Sequence, residues 1–161
     1  MTGRTAILGL CEVEVYETEN VALRGTAIQS STYTTFVAQN AIDGKRYGPG
    51  EAAYCSVIGS QSGPWWRLDL QFKCKIDTVI ITDRSDGCND QTNGAEIRIG
   101  NSLENNGNNN PRCALTSGIL AGQTISYSCN GMEGRYVNVV MTGSTSFLSL
   151  CEVEIYGKCN F

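Results

Sequence analysis

The feature that most limits how this chain can fold is a succession of short runs rich in β-branched and aromatic residues, cut apart by clusters of Gly, Asn and Ser. The runs cover residues 65–70, 76–82, 95–99, 124–128, 136–141 and 148–156, and no helical period competes with them. Ile97 and Ile99 flank Arg98, and Val153 and Ile155 alternate with Glu152 and Glu154, the period-two pattern of half-buried strands. Turn residues at this spacing predict an all-β sandwich or barrel. The Asn-rich stretch 104–110, closed by Pro111, reads as a surface loop, because Asn and Gly tolerate left-handed backbone and Pro stops a strand.

At 161 residues the chain is long enough for one domain with a proper core. It carries eight Cys and no His. Eight thiols without a CxxC pair or any imidazole lack a metal-site reading, so disulfides and an oxidising, extracellular setting are expected. The missing His also removes Ser-His-Asp and Cys-His nucleophiles and most zinc sites. The carboxylates form no recognisable acid/base pair, so a binding module is expected rather than an enzyme. A net charge of −4 without clustered Lys and Arg argues against nucleic acid. No apolar stretch is long enough for membrane insertion, and residues 1–10 do not read as a signal peptide, which places the secretion signal outside this chain. There is no Asn-x-Ser/Thr acceptor for N-glycosylation.

The sequence also repeats itself. Met1-Thr2-Gly3 matches Met141-Thr142-Gly143, and Leu10-Cys11-Glu12-Val13-Glu14 matches Leu150-Cys151-Glu152-Val153-Glu154, at one constant offset of 140. Residues 1–18 therefore read as the last strand of a preceding repeat and 19–161 as one complete domain, a window from a tandem array. Two copies of one strand compete for a single slot, so the first is expected to be disordered, to extend a sheet edge, or to swap into a neighbouring copy and make a homo-oligomer.

Several blocks resemble the F-type lectins, or fucolectins. They are Glu19 to Gly25, Asn40-Ala41-Ile42-Asp43-Gly44, Pro64-Trp65-Trp66-Arg67-Leu68-Asp69-Leu70, Gly94 to Gly100, Asn109-Asn110-Pro111 through Cys113, Gly134-Arg135-Tyr136-Val137 and Leu150 to Glu154, in family order from Glu19 to Tyr156. The resemblance implies a discoidin-like, eight-stranded jelly-roll β-sandwich, stapled by disulfides, with a sugar site among the loops at one end and Ca2+ bound nearby. It places the calcium ligands at Asn40, Asp43, Lys45, Tyr54, Cys151 and Glu152. Asp43 and Glu152 supply the charge and the others largely main-chain oxygens, a donor set that suits a hard cation. Where the family has a Ser that contributes its hydroxyl, this chain has Tyr54.

The implied sugar site departs from the family pattern of one His and two Arg. Arg84-Ser85-Asp86 keeps the Arg-x-Asp segment, but the second basic position falls on Gln91 and the His position on Val57. Gly87 precedes Cys88, so the adjacent-cysteine bridge of many members cannot form. Each lost charged hydrogen bond is worth roughly 1.5–3 kcal/mol, so ordinary fucose binding is expected to be weak or absent. Arg84 with Asp86 reads equally well as a structural ion pair. Tyr33 and Phe36, in the short stretch 26–39, supply either a wall for a ligand or a cap for the core, while Trp65 and Trp66 read as packing residues.

Eight Cys allow 105 pairings. The resemblance implies Cys55–Cys151 and Cys113–Cys129 and leaves Cys11, Cys74, Cys88 and Cys159 unassigned. Three function classes follow: a calcium-containing glycan-binding module of cell-surface, immune or gamete recognition, a structural or protein-interaction domain that kept the fold after losing its sugar site, or a targeting module once attached to an enzyme.

Overall fold

A computed structural model describes residues 19–46, 54–87 and 91–161. The segment 1–18, with the expected repeat boundary and Cys11, lies outside the described residues, as does Cys88. Eight strands follow one another: β1 (Thr26–Gln29), β2 (Ser56–Ser62), β3 (Trp65–Thr82), β4 (Ala95–Gly100), β5 (Arg112–Leu115), β6 (Thr124–Met141), β7 (Thr145–Leu150) and β8 (Glu152–Cys159). Six of them make one sheet, with β1, β3, β6, β4 and β5 as successive neighbours and β8 also paired to β3. β2 and β7 form a separate antiparallel ribbon. Ile58, Leu148 and Leu150 of the ribbon join Trp66, Leu68, Ile81, Ile97, Val139 and Val153 of the sheet in one core cluster, which makes the molecule the expected eight-stranded sandwich. No helix among the described residues is long and apolar enough to cross a membrane.

The strand boundaries differ from those read from the sequence, for local reasons. Runs 65–70 and 76–82 are one strand, β3, bent where Gln71 takes φ 68° and donates its N–H to Asp69 Oδ1 at 2.7 Å. The bend lets one edge of β3 serve two partners, β1 along Trp66–Asp69 and β8 along Cys74–Thr82, while β6 lines the other edge. Runs 124–128 and 136–141 likewise fuse into β6 through Asn130 and Gly131, both at positive φ. Run 148–156 is instead cut at Cys151, so that β7 and β8 belong to different sheets. β1 and β5 have only four residues each, and β2 is mostly Ser, Gly and Gln, so none carries enough apolar pattern to be read in advance.

Trp66 is fully buried and donates its indole N–H to the Ala38 carbonyl at 3.0 Å, in keeping with its reading as a packing residue. Trp65 is only half-buried, on the opposite face of β3. The alternation in β8 puts Glu152 and Glu154 away from the core, yet both are buried, because the segment through Arg46 lies over them. Arg46 Nε meets Glu154 Oε2 at 2.6 Å.

Three disulfides are present among the described residues: Cys55–Cys151, Cys113–Cys129 and Cys74–Cys159. The last joins two residues directly opposite each other on β3 and β8.

Candidate binding site and carboxylate cage

The β2–β7 ribbon sets Val57 opposite Ser149. Their neighbours Ile58 and Leu148 enter the core, so Val57, Ser149 and Phe147 share the outer face. The segment before Ala38 folds over that face. Tyr33 donates its N–H to the Val57 carbonyl at 2.9 Å, and Val57 donates to the Phe36 carbonyl at 3.1 Å. The Tyr33 ring stacks on Phe36 with centroids 6.3 Å apart and meets Phe147 edge-on at 5.6 Å. Tyr33 and Phe36 thus build an aromatic wall on the ribbon rather than a lid on the core, and Val57 is left only 1% exposed beneath it.

Arg84 leaves the end of β3 and turns back toward Ser149. Its side chain is 11% exposed. Nε and Nη2 hold the two Asp86 oxygens at 2.9 and 2.6 Å. This bidentate hydrogen bond keeps the Asp86 carboxyl below the ordinary carboxylate range, against the opposing effect of burial. Nη1 faces Gln91 Oε1 at 3.4 Å and Ser149 Oγ at 3.5 Å. Ser149 in turn donates its hydroxyl to Gln91 Oε1 in a close contact. Behind it, Thr92 Oγ1 lies 2.7 Å from the Ser149 carbonyl and 2.5 Å from Asp83 Oδ1.

The four positions named from the sequence, Val57, Arg84, Asp86 and Gln91, are therefore brought together, and the residue at their centre is Ser149. Sequence reasoning did not name it. Its only signal is its register: it lies two residues before Cys151 and alternates with Leu148 and Leu150, which places it outside the core.

The six positions assigned to a cation also converge. Asp43 closes the 3₁₀ turn Ala38–Ile42, and its Oδ1 accepts the Lys45 N–H at 2.9 Å. Glu152 Oε1 accepts the Gly44 N–H at 2.9 Å, while its Oε2 is buried with no hydrogen-bond partner. Burial first, and then a hydrogen bond with the Asp43 carboxyl, push the Glu152 carboxyl up to about 8. Asn40 donates its side-chain amide to the Cys55 carbonyl at 3.1 Å, and the Cys55–Cys151 bridge ties Tyr54 and Cys151 to the same spot. Asp43, Lys45 and Tyr54 are exposed while Glu152 is buried, so the group opens to solvent on the Asp43 side. Among the described residues no group of three or more His, Cys, Asp or Glu assembles. A cation here would rely on two carboxylates and main-chain carbonyls, a donor set that fits calcium, with the buried Glu152 Oε2 beside the Asp43 carboxyl as the oxygen left to meet such an ion. When bound, the ion would screen the repulsion between the two carboxylates.

Residues 40–139 match the family model of the NedA-like, galactose-binding domain. Fucolectin-5 of Anguilla japonica is 43% identical over 146 residues, which is 87% of this chain and 77% of that protein. A fucolectin from striped bass (Morone saxatilis) serum superposes with a TM-score of 0.84 at 48% identity, covering 87% of this chain and 47% of that one, so the chain spans about half the length of this structural relative. A Streptococcus pneumoniae fucose-binding module shares the fold, with a TM-score of 0.73 at 24% identity over 87% of this chain and 98% of the module.

Proposed function

Because the chain belongs to the fucolectin, or F-type lectin, family, we propose that it is a glycan-binding module whose saccharide rests against Arg84, Gln91 and Ser149, beside the Tyr33–Phe36 wall. The meeting of Arg84 and Gln91 at the hydroxyl of Ser149, with Asp86 holding Arg84 and Val57 opposite Ser149 on the ribbon, is the observation that carries this reading. A saccharide needs donors and acceptors fixed in advance. Arg84 is oriented by its bidentate hold on Asp86 and reaches Gln91 and Ser149 only across 3.4 and 3.5 Å, long enough for a sugar hydroxyl to compete for the same donor. Gln91 uses its Oε1 toward both Arg84 and Ser149, which leaves Nε2 as a second donor for a sugar hydroxyl. Relatives are named for fucose, and fucose-type sugars are the first ligands to try. With Val57 where the family has His and Gln91 where it has Arg, the site is less cationic and single-site binding is weaker.

The Asp43–Glu152 cage is proposed to hold Ca2+, with Asn40, Lys45, Tyr54 and Cys151 contributing main-chain oxygens. Its part is structural, since the Cys55–Cys151 bridge couples the cage to the end of the ribbon that carries Val57 and Ser149. The disulfides support a secreted protein.

The test is a glycan array with this chain in calcium and in EDTA, beside Arg84→Ala. Loss of one charged hydrogen bond predicts a drop of about 10- to 150-fold on bound glycans. Val57, buried where the family has a His, favours a second reading, a protein-interaction domain without a sugar site. A folded chain that binds no glycan at any density would establish that reading instead.

A further inference from the structure

At the far end of the ribbon from Val57 and Ser149 lies a second concavity. It is a cleft of about 430 Å³ on the outer face of the large sheet, between the Asn-rich stretch and the chain where it leaves β2 and β6. From Val57 to Ser62 the ribbon runs five residues, roughly 15 Å at the usual strand rise, so the cleft and the Arg84 constellation are separate places. We propose that this cleft is a second saccharide-binding site, for a neutral sugar, formed by Trp65 and the side-chain amides of Asn105, Asn106, Asn108 and Asn109.

The first support is the way the loop is held. Asn105, Asn106 and Gly107 all have positive φ, a left-handed run that folds the amides back over the sheet. Two groups pin it there. Arg67 donates Nη1–H to the Asn106 carbonyl at 2.7 Å. Asn138, fully buried on β6, donates Nδ2–H to that same carbonyl and to Asn108 Oδ1, both at 2.9 Å. Gly107 sits so close to the Asn138 amide that a Cβ would meet its Oδ1 at 3.0 Å, so the turn packs there only as Gly. These contacts hold the loop's backbone without help from a ligand, which lowers the entropic cost of binding.

The second support is the set of polar atoms left over. Asn105 Nδ2 donates to Asn109 Oδ1 at 3.1 Å. Among the described residues, Asn105 Oδ1, both polar atoms of Asn106, and the Nδ2 groups of Asn108 and Asn109 have no partner. The half-buried indole of Trp65 borders the cleft with the Arg67 guanidinium 5.2 Å over its ring, and its N–H is likewise without a partner among the described residues. Amides that both give and accept suit hydroxyls, which do the same, and a planar indole suits the apolar face of a sugar ring.

The third support is charge. Arg98 is the one charged residue lining the cleft, and its guanidinium is taken by the Glu96 carboxylate and, at 2.7 Å, by the Asn110 carbonyl. Arg67, beside Trp65, is engaged by the Asn106 carbonyl and the indole ring, so a phosphate or sulfate ester would have to displace those contacts to reach a cation, whereas an uncharged polyol need not. This site does not depend on the reading given to Arg84. With both occupied, one domain would present two sugar-binding ends.

The test is NMR titration of the folded chain with galactose, mannose, N-acetylglucosamine and lactose, following side-chain amide and indole N–H signals. At least one of these sugars should shift the Trp65 indole and the Asn105–Asn109 amides saturably, leave the buried Trp66 indole still, and do so equally in Arg84→Ala. Asn105→Gly with Asn106→Gly keeps the left-handed backbone while deleting two amides, and should weaken that response at least tenfold with the thermal midpoint unchanged. The proposal is overturned if none of the four sugars moves these signals at 100-mM-scale concentration, or if the double glycine variant responds as the parent does. Loss of all binding in Arg84→Ala would place every sugar contact at the first site and overturn it too.

Discussion

Removing the two long-range disulfides one at a time and together should reveal that they are not independent. Cys55–Cys151 and Cys74–Cys159 are separated by 96 and 85 residues along the chain. Taken singly, closing loops of that size stabilises by about 4.7 and 4.6 kcal/mol through the entropy of the unfolded chain. The two loops overlap almost completely. With one bridge intact, the other closes only the path from 55 to 74 and from 151 to 159, roughly 27 residues, which is worth about 3.6 kcal/mol. Each pair of Cys→Ala substitutions alone should therefore cost about 3.6 kcal/mol from this source, and the fourfold variant about 8 kcal/mol, roughly 1 kcal/mol more than the sum. Packing lost with the sulfurs enters both the single and the combined variants and cancels in the cycle. Because about 8 kcal/mol is a large part of any domain's stability, all four proteins should be unfolded in guanidinium at one fixed sarcosine concentration, with Trp fluorescence as the signal. A coupling indistinguishable from zero, with each bridge worth about 4.6 kcal/mol alone, would refute the overlapping-loop argument.

Three other perturbations follow from the same structure. Calcium at about a hundred times its Kd should stabilise the parent by about 2.7 kcal/mol, whereas Glu152→Gln should gain nothing; in EDTA, melting curves should show Glu152→Gln at least as stable as the parent, since it removes a buried carboxyl pressed against Asp43. Asp86 is held below the ordinary carboxylate range by Arg84, so its contribution is present above the unfolded value and is lost as pH falls through the folded one; urea titrations should show the gap between parent and Asp86→Asn constant at neutral pH and closing as the pH falls below the ordinary carboxylate value. Trp66→Ala should cost about 3–5 kcal/mol in chemical unfolding, because it empties a fully buried indole volume and orphans the Ala38 carbonyl.

The alternation of Ile97 with Ile99 and of Val153 with Ile155 is enough for half-buried strands, and so for a sandwich or a barrel, whereas the choice of an eight-stranded jelly-roll sandwich rests on the resemblance to the F-type lectins. What the same pattern could not convey is that Glu152 and Glu154 are buried as well. Their cover comes from a segment more than a hundred residues earlier, and local alternation carries nothing about what lands on the other face. The breaks between runs misled for a related reason. Gln71 and Asn130 bend their strands without ending them, since the neighbouring strand pairs across the bend. Arg84, Asp86, Gln91 and Val57 could be placed by resemblance, whereas Ser149 could not, since a serine in a strand looks like any other polar outward position until the register with Val57 is known.

The contrast between the ribbon's two ends bears on how such a domain would work. At one end the polar groups are shared internally: Arg84 serves Asp86, and Ser149 serves Gln91, so a sugar must displace long contacts to gain its own. At the other, Asn138 and Arg67 hold the backbone of the Asn-rich turn and leave the side-chain amides to solvent. The first arrangement favours selectivity, because only a ligand that replaces each contact is bound without loss; the second favours tolerance, because any array of hydroxyls finds some partner. Neither alone predicts tight binding. Two ends that engage one glycan-bearing surface convert the second contact into an intramolecular step, and overall affinity can then rise by 10²–10⁴ without any new contact. The change of two of the family's three basic positions at the first end, to Val57 and Gln91, would be offset by valency at the second, which is why the single-site and surface measurements on Arg84→Ala should diverge.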